Sequence, residues 1–258
     1  MLTRPHPVGL IALALVGAVL APTVASAQDE TGPFDDFSAG IDLGAYSKYV
    51  WRGINTVDDF VLQPSVDLAL GNLGLNIWGN LDLTDQNDRE WAFTEVDVTG
   101  SYSFSLDRFD FSFGAVGYIF PGAAGETTEL FASIGIANEL APTLTIYRDV
   151  DEVDGAYVTL SGGYTFEDPF DLGEALGVSP EFSVSVGYGN KAHNSFYYGD
   201  PDAGLADLTL GLTVPYRLCD SATLGASVHY SRLLSGDIRD LTEDEDNLWF
   251  GLSLSISF

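Results

Sequence analysis

Cysteine is almost absent from this chain of 258 residues, which contains a single one, Cys219. One thiol cannot close an internal disulfide bond, so a small secreted scaffold held by disulfides is excluded. The chain also lacks the Cys and His spacing of a zinc site. Cys219 follows a predicted strand in a tight turn, where a small residue is tolerated, and we assign it no reactive role.

Positive charge is scarce as well. Ten Lys and Arg stand against 38 Asp and Glu, which gives a formal net charge of −28. A surface with this excess of negative charge repels nucleic acids and anionic lipid headgroups, and it attracts cations. The composition therefore argues against a nucleic-acid partner.

Beyond the amino terminus the chain lacks an apolar run long enough for a transmembrane helix. The first 27 residues combine a basic Arg4, an apolar stretch from Val8 to Leu20 and the small-residue cleavage site Ala25-Ser26-Ala27. This pattern predicts a secretory signal peptide, residues 1–27, cleaved after Ala27. Residues 28–38 are acidic and without periodicity, and we predict a mobile periplasmic leader there.

The carboxyl terminus carries strict alternation of apolar and mostly small polar residues. The apolar members are Leu248, Phe250, Leu252, Leu254, Ile256 and Phe258. A period of two predicts a β-strand with one apolar face. The chain stops on the aromatic Phe258, which resembles the terminal signal by which outer-membrane β-barrels are recognised and inserted.

Alternation continues through the rest of the chain in about twelve segments. We place them at 39–52, 60–70, 73–83, 91–104, 108–120, 127–137, 143–150, 155–166, 181–190, 205–217, 222–233 and 247–258. Most have about 10–14 residues, long enough for a tilted strand to cross a bilayer. We therefore predict an all-β fold, an antiparallel transmembrane β-barrel of about twelve strands over residues 39–258.

The connections between these segments alternate in length. Every second one is expected in the periplasm and most of these are short: Gly71-Asn72, Ser105-Leu106-Asp107, Asn138 to Pro142, Glu167 to Pro180, and Leu218-Cys219-Asp220. The others are longer on average and mostly acidic, as in Glu243-Asp244-Glu245-Asp246. Short periplasmic turns and longer external loops are typical of outer-membrane barrels. A soluble β-sandwich does not require short and long connections to alternate in this way.

The strand phase predicts which side chains point into the barrel. The ionisable ones that we expect to line the lumen and to set selectivity are Asp42, Lys48, Arg52, Asp67, Asp82, Glu95, Asp97, Asp110, Glu129 and Asp207, with Asp149 beside them. Carboxylates outnumber cations, so we expect some to face water in a hydrated lumen. The alternative is a structural network in which Glu95 and Asp97 pair with Lys48 and Arg52 to brace the wall.

Outward-facing aromatic residues near strand ends are expected to form interfacial girdles. We assign to them Tyr49, Trp51, Tyr102, Phe104, Tyr164, Phe166, Tyr216, Tyr230 and Phe258.

The segment from Ser47 to Ile54, followed by Gln63 to Asp67 and Leu75 to Asn80, resembles the TorF-type porin family, a group of uncharacterised outer-membrane proteins. The match is carried by the Ser-x-Tyr-x-aromatic-Arg-Gly motif, in which the aromatic residue is Trp51, and it covers about 40 residues. The resemblance implies an outer-membrane barrel that acts as a channel. It implies no particular solute.

Two further motifs were weighed as chemical sites. His229-Tyr230-Ser231 is similar to the His-x-Ser pairing of outer-membrane phospholipases, but the strand phase turns His229 and Ser231 toward the lumen. The acidic stretch Asp149 to Asp154 offers hard oxygen ligands to calcium but lacks the glycine and spacing of an EF-hand. We therefore expect no catalytic residues, no metal and no cofactor.

These observations predict an outer-membrane channel of a Gram-negative bacterium that passes small hydrophilic solutes by diffusion, with a preference for cations. Outer-membrane lipid and the barrel-assembly machinery are its expected partners. The alternative is a non-conducting structural or adhesive barrel. A barrel lipid hydrolase is a more distant third possibility.

Overall fold

A computed structural model describes residues 36–87, 89–122, 125–167 and 178–258, and the predicted signal peptide lies outside these ranges. The strands are β1 (Phe37–Tyr46), β2 (Tyr49–Trp51), β3 (Ile54–Val57), β4 (Val61–Leu70), β5 (Leu73–Asp82), β6 (Ala92–Leu106), β7 (Phe109–Ile119), β8 (Glu126–Ile136), β9 (Thr143–Asp149), β10 (Ala156–Thr165), β11 (Glu181–Gly189), β12 (Gly204–Cys219), β13 (Ala222–Leu233) and β14 (Asp246–Ser257). Two short helices are present, α1 (Lys191–Tyr197) and α2 (Gly236–Leu241). Within the described ranges, no helix has the length and apolar character to cross a membrane.

Twelve of the strands close into one antiparallel barrel, which confirms the predicted fold class and strand number. Neighbours along the chain pair with one another, and β1 closes the barrel by pairing with β14 from Gly40 opposite Ser257 to Tyr46 opposite Gly251. Closure leaves no unpaired sheet edge, which is the condition for a sheet to lie in a bilayer. The leader predicted at 28–38 overlaps the barrel, because β1 already begins at Phe37.

The outer surface of the barrel is apolar. Exposed residues on it include Ile41, Leu43, Val66, Ile77, Val98, Phe113, Leu130, Ile134, Leu144, Ile146, Leu160, Leu212, Val214, Leu224, Val228 and Leu252. They belong to the outward set of each strand, as the period of two requires. So large an exposed apolar band is not a feature of soluble monomers, but it suits the hydrocarbon of a bilayer.

The two ends of the barrel differ, and we name them by their connections. The turn end carries Phe37, Phe258 and short connections such as Gly71-Asn72, and the loop end carries the longer connections with both helices. Exposed aromatic residues surround the turn end: Tyr102, Phe104, Tyr164, Phe166, Tyr216 and Phe258. They form a belt at the level where a girdle is expected.

The first predicted segment, 39–52, is wrong beyond Tyr46. The chain leaves the barrel wall there, and β2 pairs with β3 in a separate two-stranded hairpin. A tight turn between them is made by Arg52 and Gly53, whose φ angles are +44° and +82°. Tyr49 and Trp51, predicted to face lipid, are each only 2% exposed. Alternation is the same whether a strand continues or folds back, so the pattern did not reveal the turn.

Candidate functional site

The loop-end half of the barrel is filled by an inward-folded plug, which we define as the β2–β3 hairpin together with α1 and α2. Its side chains form a hydrophobic core with residues from the barrel wall. The plug contributes Tyr49, Trp51, Val57, Tyr197 and Ile238, and the wall and its adjoining loops contribute Val61, Val116, Tyr118, Phe120, Tyr157, Tyr198, Ala206 and Leu233. Burying a large apolar side chain contributes about 1.5–3 kcal/mol, so this core stabilises the plug in place.

A buried ion pair fastens the hairpin to the wall. The Arg52 guanidinium donates to both carboxylate oxygens of Glu129 on β8, at 3.0 and 2.7 Å. Tyr118 donates a further hydrogen bond of 2.8 Å to Glu129. Burial by itself would lower the pKa of Arg52, but the adjoining Glu129 carboxylate raises it above its ordinary value. Arg52 is therefore a permanent cation in a dry environment, and Glu129 balances its charge.

Aromatic rings surround the same guanidinium. Its central carbon lies 4.1 Å from the ring centre of Tyr157, 4.4 Å from that of Trp51 and 5.0 Å from that of Tyr147. The electron-rich ring faces attract the cation, and the attraction is stronger where water is excluded. The wall strands β9 and β10 supply the two tyrosines, so together with Glu129 on β8 they bind Arg52 to three neighbouring strands on one side of the lumen.

His193 of α1 completes this cluster as a neutral ring. Arg52 Nη1 lies 3.1 Å from His193 Nε2, and because arginine can only donate, Nε2 must be the accepting nitrogen. The ring proton then sits on Nδ1, which lies 3.3 Å from Oδ1 of Asn194. Burial, with a smaller contribution from the Arg52 charge, lowers the pKa of His193 to about 3. The plugged state therefore requires the uncharged imidazole.

Further polar contacts hold the hairpin at several points. Tyr49 donates a hydrogen bond of 2.8 Å to Glu95, and Tyr198 donates one of 2.7 Å to the carbonyl oxygen of Arg52. Lys48 forms an ion pair with Asp58, and its hydrogen bond lowers the pKa of the Asp58 carboxyl. The alternative network of Glu95 and Asp97 with Lys48 and Arg52 is not formed, since each of these cations binds another carboxylate.

The predicted lumen carboxylates fall into two groups. Those at the loop end are buried, namely Asp82, Glu95, Asp97, Glu129, Asp149 and Asp207. Several have internal donors: Asp82 accepts from Asn80 at 2.8 Å, and Asp207 accepts from Tyr157 at 2.7 Å. The expectation that the excess carboxylates face water is therefore wrong for this group, because the plug excludes water from them.

The second group lies at the turn end, where Asp42, Asp67 and Asp110 are exposed or half-buried. Their partners are short polar side chains, such as Asn76, which donates to Asp67 at 2.8 Å, and Ser105, which donates to Asp110 at 2.6 Å. In the part of the chain that the structure describes, none of these three carboxylates forms an ion pair with a Lys or Arg side chain. That these three carboxylates form a solvated, selective lining stays a prediction.

The two motifs weighed as chemical sites have other contacts. His229 stacks on Trp249 with ring centres 5.1 Å apart, and Ser231 accepts a hydrogen bond of 3.1 Å from Thr209. Asp149 accepts from Thr127 and from the backbone N–H groups of its own acidic loop. Among the described residues, no group of three or more His, Cys, Asp or Glu side chains is arranged to hold a metal ion.

Sequence reasoning missed the plug and its central cluster. The alternation of apolar residues does not predict α1 or α2, although Asn190 and Ser235 are N-cap residues whose side chains accept from the first turns of these helices. It also left Glu129 without its partner, because the pair spans 77 residues. The Arg52-Gly53 turn was the available signal, since glycine marks positions of positive φ.

A family model matches residues 27–222 of the chain. The chain belongs to this family, which is described as a bacterial protein of unknown function (Gcw_chp). The TorF-type name is not confirmed by this match. None of the curated proteins is similar to the chain.

The fold of this chain is also similar to solved barrel structures. The barrel is similar to the NanC porin, with a TM-score of 0.55 and 11% identity over 84% of this chain and 98% of the porin. The KdgM porin is similar with a TM-score of 0.54 and 12% identity, over 85% of this chain and 99% of the porin. An outer membrane channel from Pseudomonas putida F1 is similar with a TM-score of 0.50 and 12% identity, over 89% of this chain and 100% of the channel. At these identities the likeness shows a shared fold.

Proposed function

We propose that this protein is a TorF-type channel in the outer membrane of a Gram-negative bacterium, exported by a signal peptide that is cleaved after Ala27. The observation that carries the proposal is the closed twelve-stranded barrel with an apolar exterior and a polar turn-end interior. Its similarity to the NanC and KdgM porins supports the same function. The solutes would be small and hydrophilic, and they would pass by diffusion.

The turn-end carboxylates favour cations among those solutes. Asp42, Asp67 and Asp110 lie in the part of the lumen that water reaches, with low-dielectric walls around them. Such walls concentrate the field of the charges inside the pore and raise the local cation concentration. The buried carboxylates under the plug would join them only in a conformation from which the plug has moved.

Conduction also requires the plug to move, since its core occupies the loop-end half of the lumen. The hairpin is the natural moving element because it belongs to a loop and pairs with no barrel strand. We therefore describe the structure as the closed state of a gated channel. The Arg52–Glu129 ion pair and the surrounding core hold it closed.

To test the proposal, the chain without residues 1–27 is refolded into planar bilayers. The ionic current through these bilayers is then recorded under a salt gradient. The proposal predicts long closed intervals, discrete openings and a reversal potential whose sign indicates a higher permeability for cations than for anions. Asp67→Asn combined with Asp110→Asn should move the cation-to-anion permeability ratio toward one. Asp154→Asn, which removes an exposed loop charge, is the matched control and should leave the ratio unchanged.

A non-conducting structural barrel is the second candidate, and the filled loop-end half is the observation that favours it. The two candidates differ in one outcome. If a variant with a weakened plug folds as a barrel but still never conducts, the structural role replaces the channel.

A further inference from the structure

The barrel wall forms a pocket around the guanidinium of Arg52, built by one side chain from each of four consecutive strands. Glu129 on β8 accepts from both terminal nitrogens, at 3.0 and 2.7 Å. The ring centres of Tyr157 on β10 and Tyr147 on β9 lie 4.1 and 5.0 Å from the guanidinium carbon. Tyr118 on β7 donates to Glu129 at 2.8 Å. We call these four wall residues the guanidinium pocket.

The contacts that orient the guanidinium pocket lie within the wall. The hydroxyl of Tyr118 is held by Glu129, and that of Tyr157 by Asp207 on β12, to which it donates at 2.7 Å. Tyr147 stands directly opposite Tyr157 in the ladder of β9 and β10, with ring centres 6.4 Å apart. None of these contacts involves the plug, so a displaced hairpin leaves the pocket oriented as it is in the closed state.

The charge of the pocket is balanced from outside the wall. Glu129 forms its ion pair with Arg52, which belongs to the plug, and their side chains are only 3% and 8% exposed. The wall arginine on the neighbouring strand β9, Arg148, is exposed and pairs with Asp154 instead. A carboxylate in so dry a place is unfavourable without a counter-charge. Once the hairpin moves away, the pocket therefore favours another cation.

We propose that the guanidinium pocket binds the guanidinium group of a small solute, and that Arg52 occupies it in the closed state as an internal competitor. The inference rests on the proposed channel function for the passage of that solute. It deepens this function by naming a class of cation that the same lumen binds.

The geometry selects a guanidinium group over an ammonium group. The two carboxylate oxygens of Glu129 accept from two different nitrogens of Arg52, which a planar fork of N–H groups can supply and a single ammonium nitrogen cannot. A guanidinium is also weakly hydrated and stacks on aromatic rings such as that of Tyr157, whereas an ammonium is compact and strongly hydrated.

Ethylguanidinium is the probe, because it has the atoms that Arg52→Ala removes. Its binding to the refolded barrel without residues 1–27 is measured by isothermal titration calorimetry in detergent micelles. We expect one saturable site in Arg52→Ala, and an affinity at least tenfold weaker in the wild type, where Arg52 competes for the pocket. Butylammonium should bind to Arg52→Ala at least tenfold more weakly than ethylguanidinium does.

Glu129→Gln added to Arg52→Ala should weaken the binding of ethylguanidinium at least tenfold, because the amide offers one acceptor oxygen and no charge. Asp154→Asn added to Arg52→Ala is the matched control. It removes an exposed carboxylate outside the pocket and should leave the affinity unchanged.

Arg52→Lys tests the pocket in a second variant, which keeps a positive charge in the plug. Its ammonium should compete less well than the guanidinium of Arg52, so the affinity for ethylguanidinium should lie between those of the wild type and Arg52→Ala. Heat-modifiable gel migration verifies that each variant is folded.

Equal affinity for ethylguanidinium in the wild type, Arg52→Lys and Arg52→Ala would overturn the pocket. So would an affinity of Arg52→Ala that Glu129→Gln does not change, or equal binding of ethylguanidinium and butylammonium. The measurement needs no ionic current. Binding to a barrel that never conducts would contradict the channel proposal but support the pocket, whereas conduction without binding would support the channel and contradict the pocket.

Discussion

The loop-end and turn-end halves of the barrel share the same twelve strands but hold different interiors. Along β7, the inward residues at the turn end are Asp110, Ser112 and Gly114, whereas Val116 and Tyr118 follow toward the loop end. Small polar side chains leave space for water, and large apolar ones meet the plug. The wall is therefore preformed for an inward-folded loop at one end only, which makes closure a property of both the wall and the loop.

The largest effect on this contrast is expected from Glu129→Gln. It removes the negative charge that balances Arg52 inside the plug. Leaving one member of a buried ion pair unpaired costs about 3–5 kcal/mol, so the closed state should lose most of its advantage and openings should become frequent in single-channel recordings.

Two controls accompany that change. Asp154→Asn breaks the exposed ion pair with Arg148 and should change closure by less than about 1 kcal/mol. The double change Arg52→Met with Glu129→Met removes both charges and should restore closure. An open probability for Glu129→Gln equal to that of the wild type would show that the ion pair does not hold the plug.

A smaller effect is expected from Gly53→Ala in the hairpin turn. The φ of Gly53 is +82°, and an added Cβ would lie 2.6 Å from Cδ2 of Leu233 and 2.9 Å from Cβ of Asp207. Backbone strain of about 1 kcal/mol and the steric conflict should together destabilise the closed plug by about 2–3 kcal/mol.

Gly71→Ala at the turn end is the matched control for that substitution. The φ of Gly71 is +55°, and nothing lies within 4 Å of an added Cβ. Only the backbone strain applies there, so channel closure should be unchanged in recordings of open probability. Equal effects of the two substitutions would mean that the close packing of the hairpin turn does not contribute to closure.

Acid should weaken the plug through His193. The closed state lowers the pKa of His193 from its ordinary 6.5 to about 3. Between these values an opened plug binds a proton that the closed plug excludes, so the contribution of His193 to closure is fully present above pH 6.5 and is lost as the pH falls toward 3. The loss from pH 7 to pH 5 is about 2 kcal/mol.

The groups that face His193 are Arg52, Trp51, Tyr157, Tyr197 and Tyr198. Open probability measured against pH in the wild type and in His193→Gln isolates the contribution of the ring. The glutamine can accept from Arg52 but does not titrate in this range. Identical pH profiles of the two proteins would exclude His193 as the sensitive group.

The smallest change in stability is expected from Phe258→Ala at the turn end. Phe258 is 75% exposed and makes no contact with the plug core, so the folded barrel should lose less than about 0.5 kcal/mol. Insertion by reconstituted assembly machinery should nevertheless slow severalfold, as followed by heat-modifiable migration. Phe250→Ala at the loop end is the control. If Phe258→Ala and Phe250→Ala inserted at the same rate, Phe258 would not act as the insertion signal.

The barrel was predictable to a large extent from local pattern. Strand phase depends on residues two positions apart, so the alternation in a strand such as β14 is visible in the printed sequence. The outward positions of residues such as Ile41 and Phe113 follow from the same pattern. The predicted boundaries of most barrel strands agree with the structure to within about two residues.

The plug was not predictable by the same means. Tyr49 and Trp51 continue the alternation of β1, and an aromatic residue at a strand end suits either a lipid interface or a buried core. Which of the two it meets depends on Tyr157 and Tyr198, more than 100 residues away in the chain. The excess of carboxylates likewise indicated a hydrated lumen because their burial could not be foreseen from composition.

By itself, the sequence determined that this chain is an antiparallel barrel with an apolar exterior, because period-two alternation and alternating connection lengths are local properties of the chain. Only the tertiary structure decided that the first loop turns inward, that Arg52 meets Glu129 and that Asp97 is buried. These outcomes depend on contacts between distant segments, where burial raises the cost of every unpaired charge. The wall is therefore determined by local pattern, and the state of the lumen by packing.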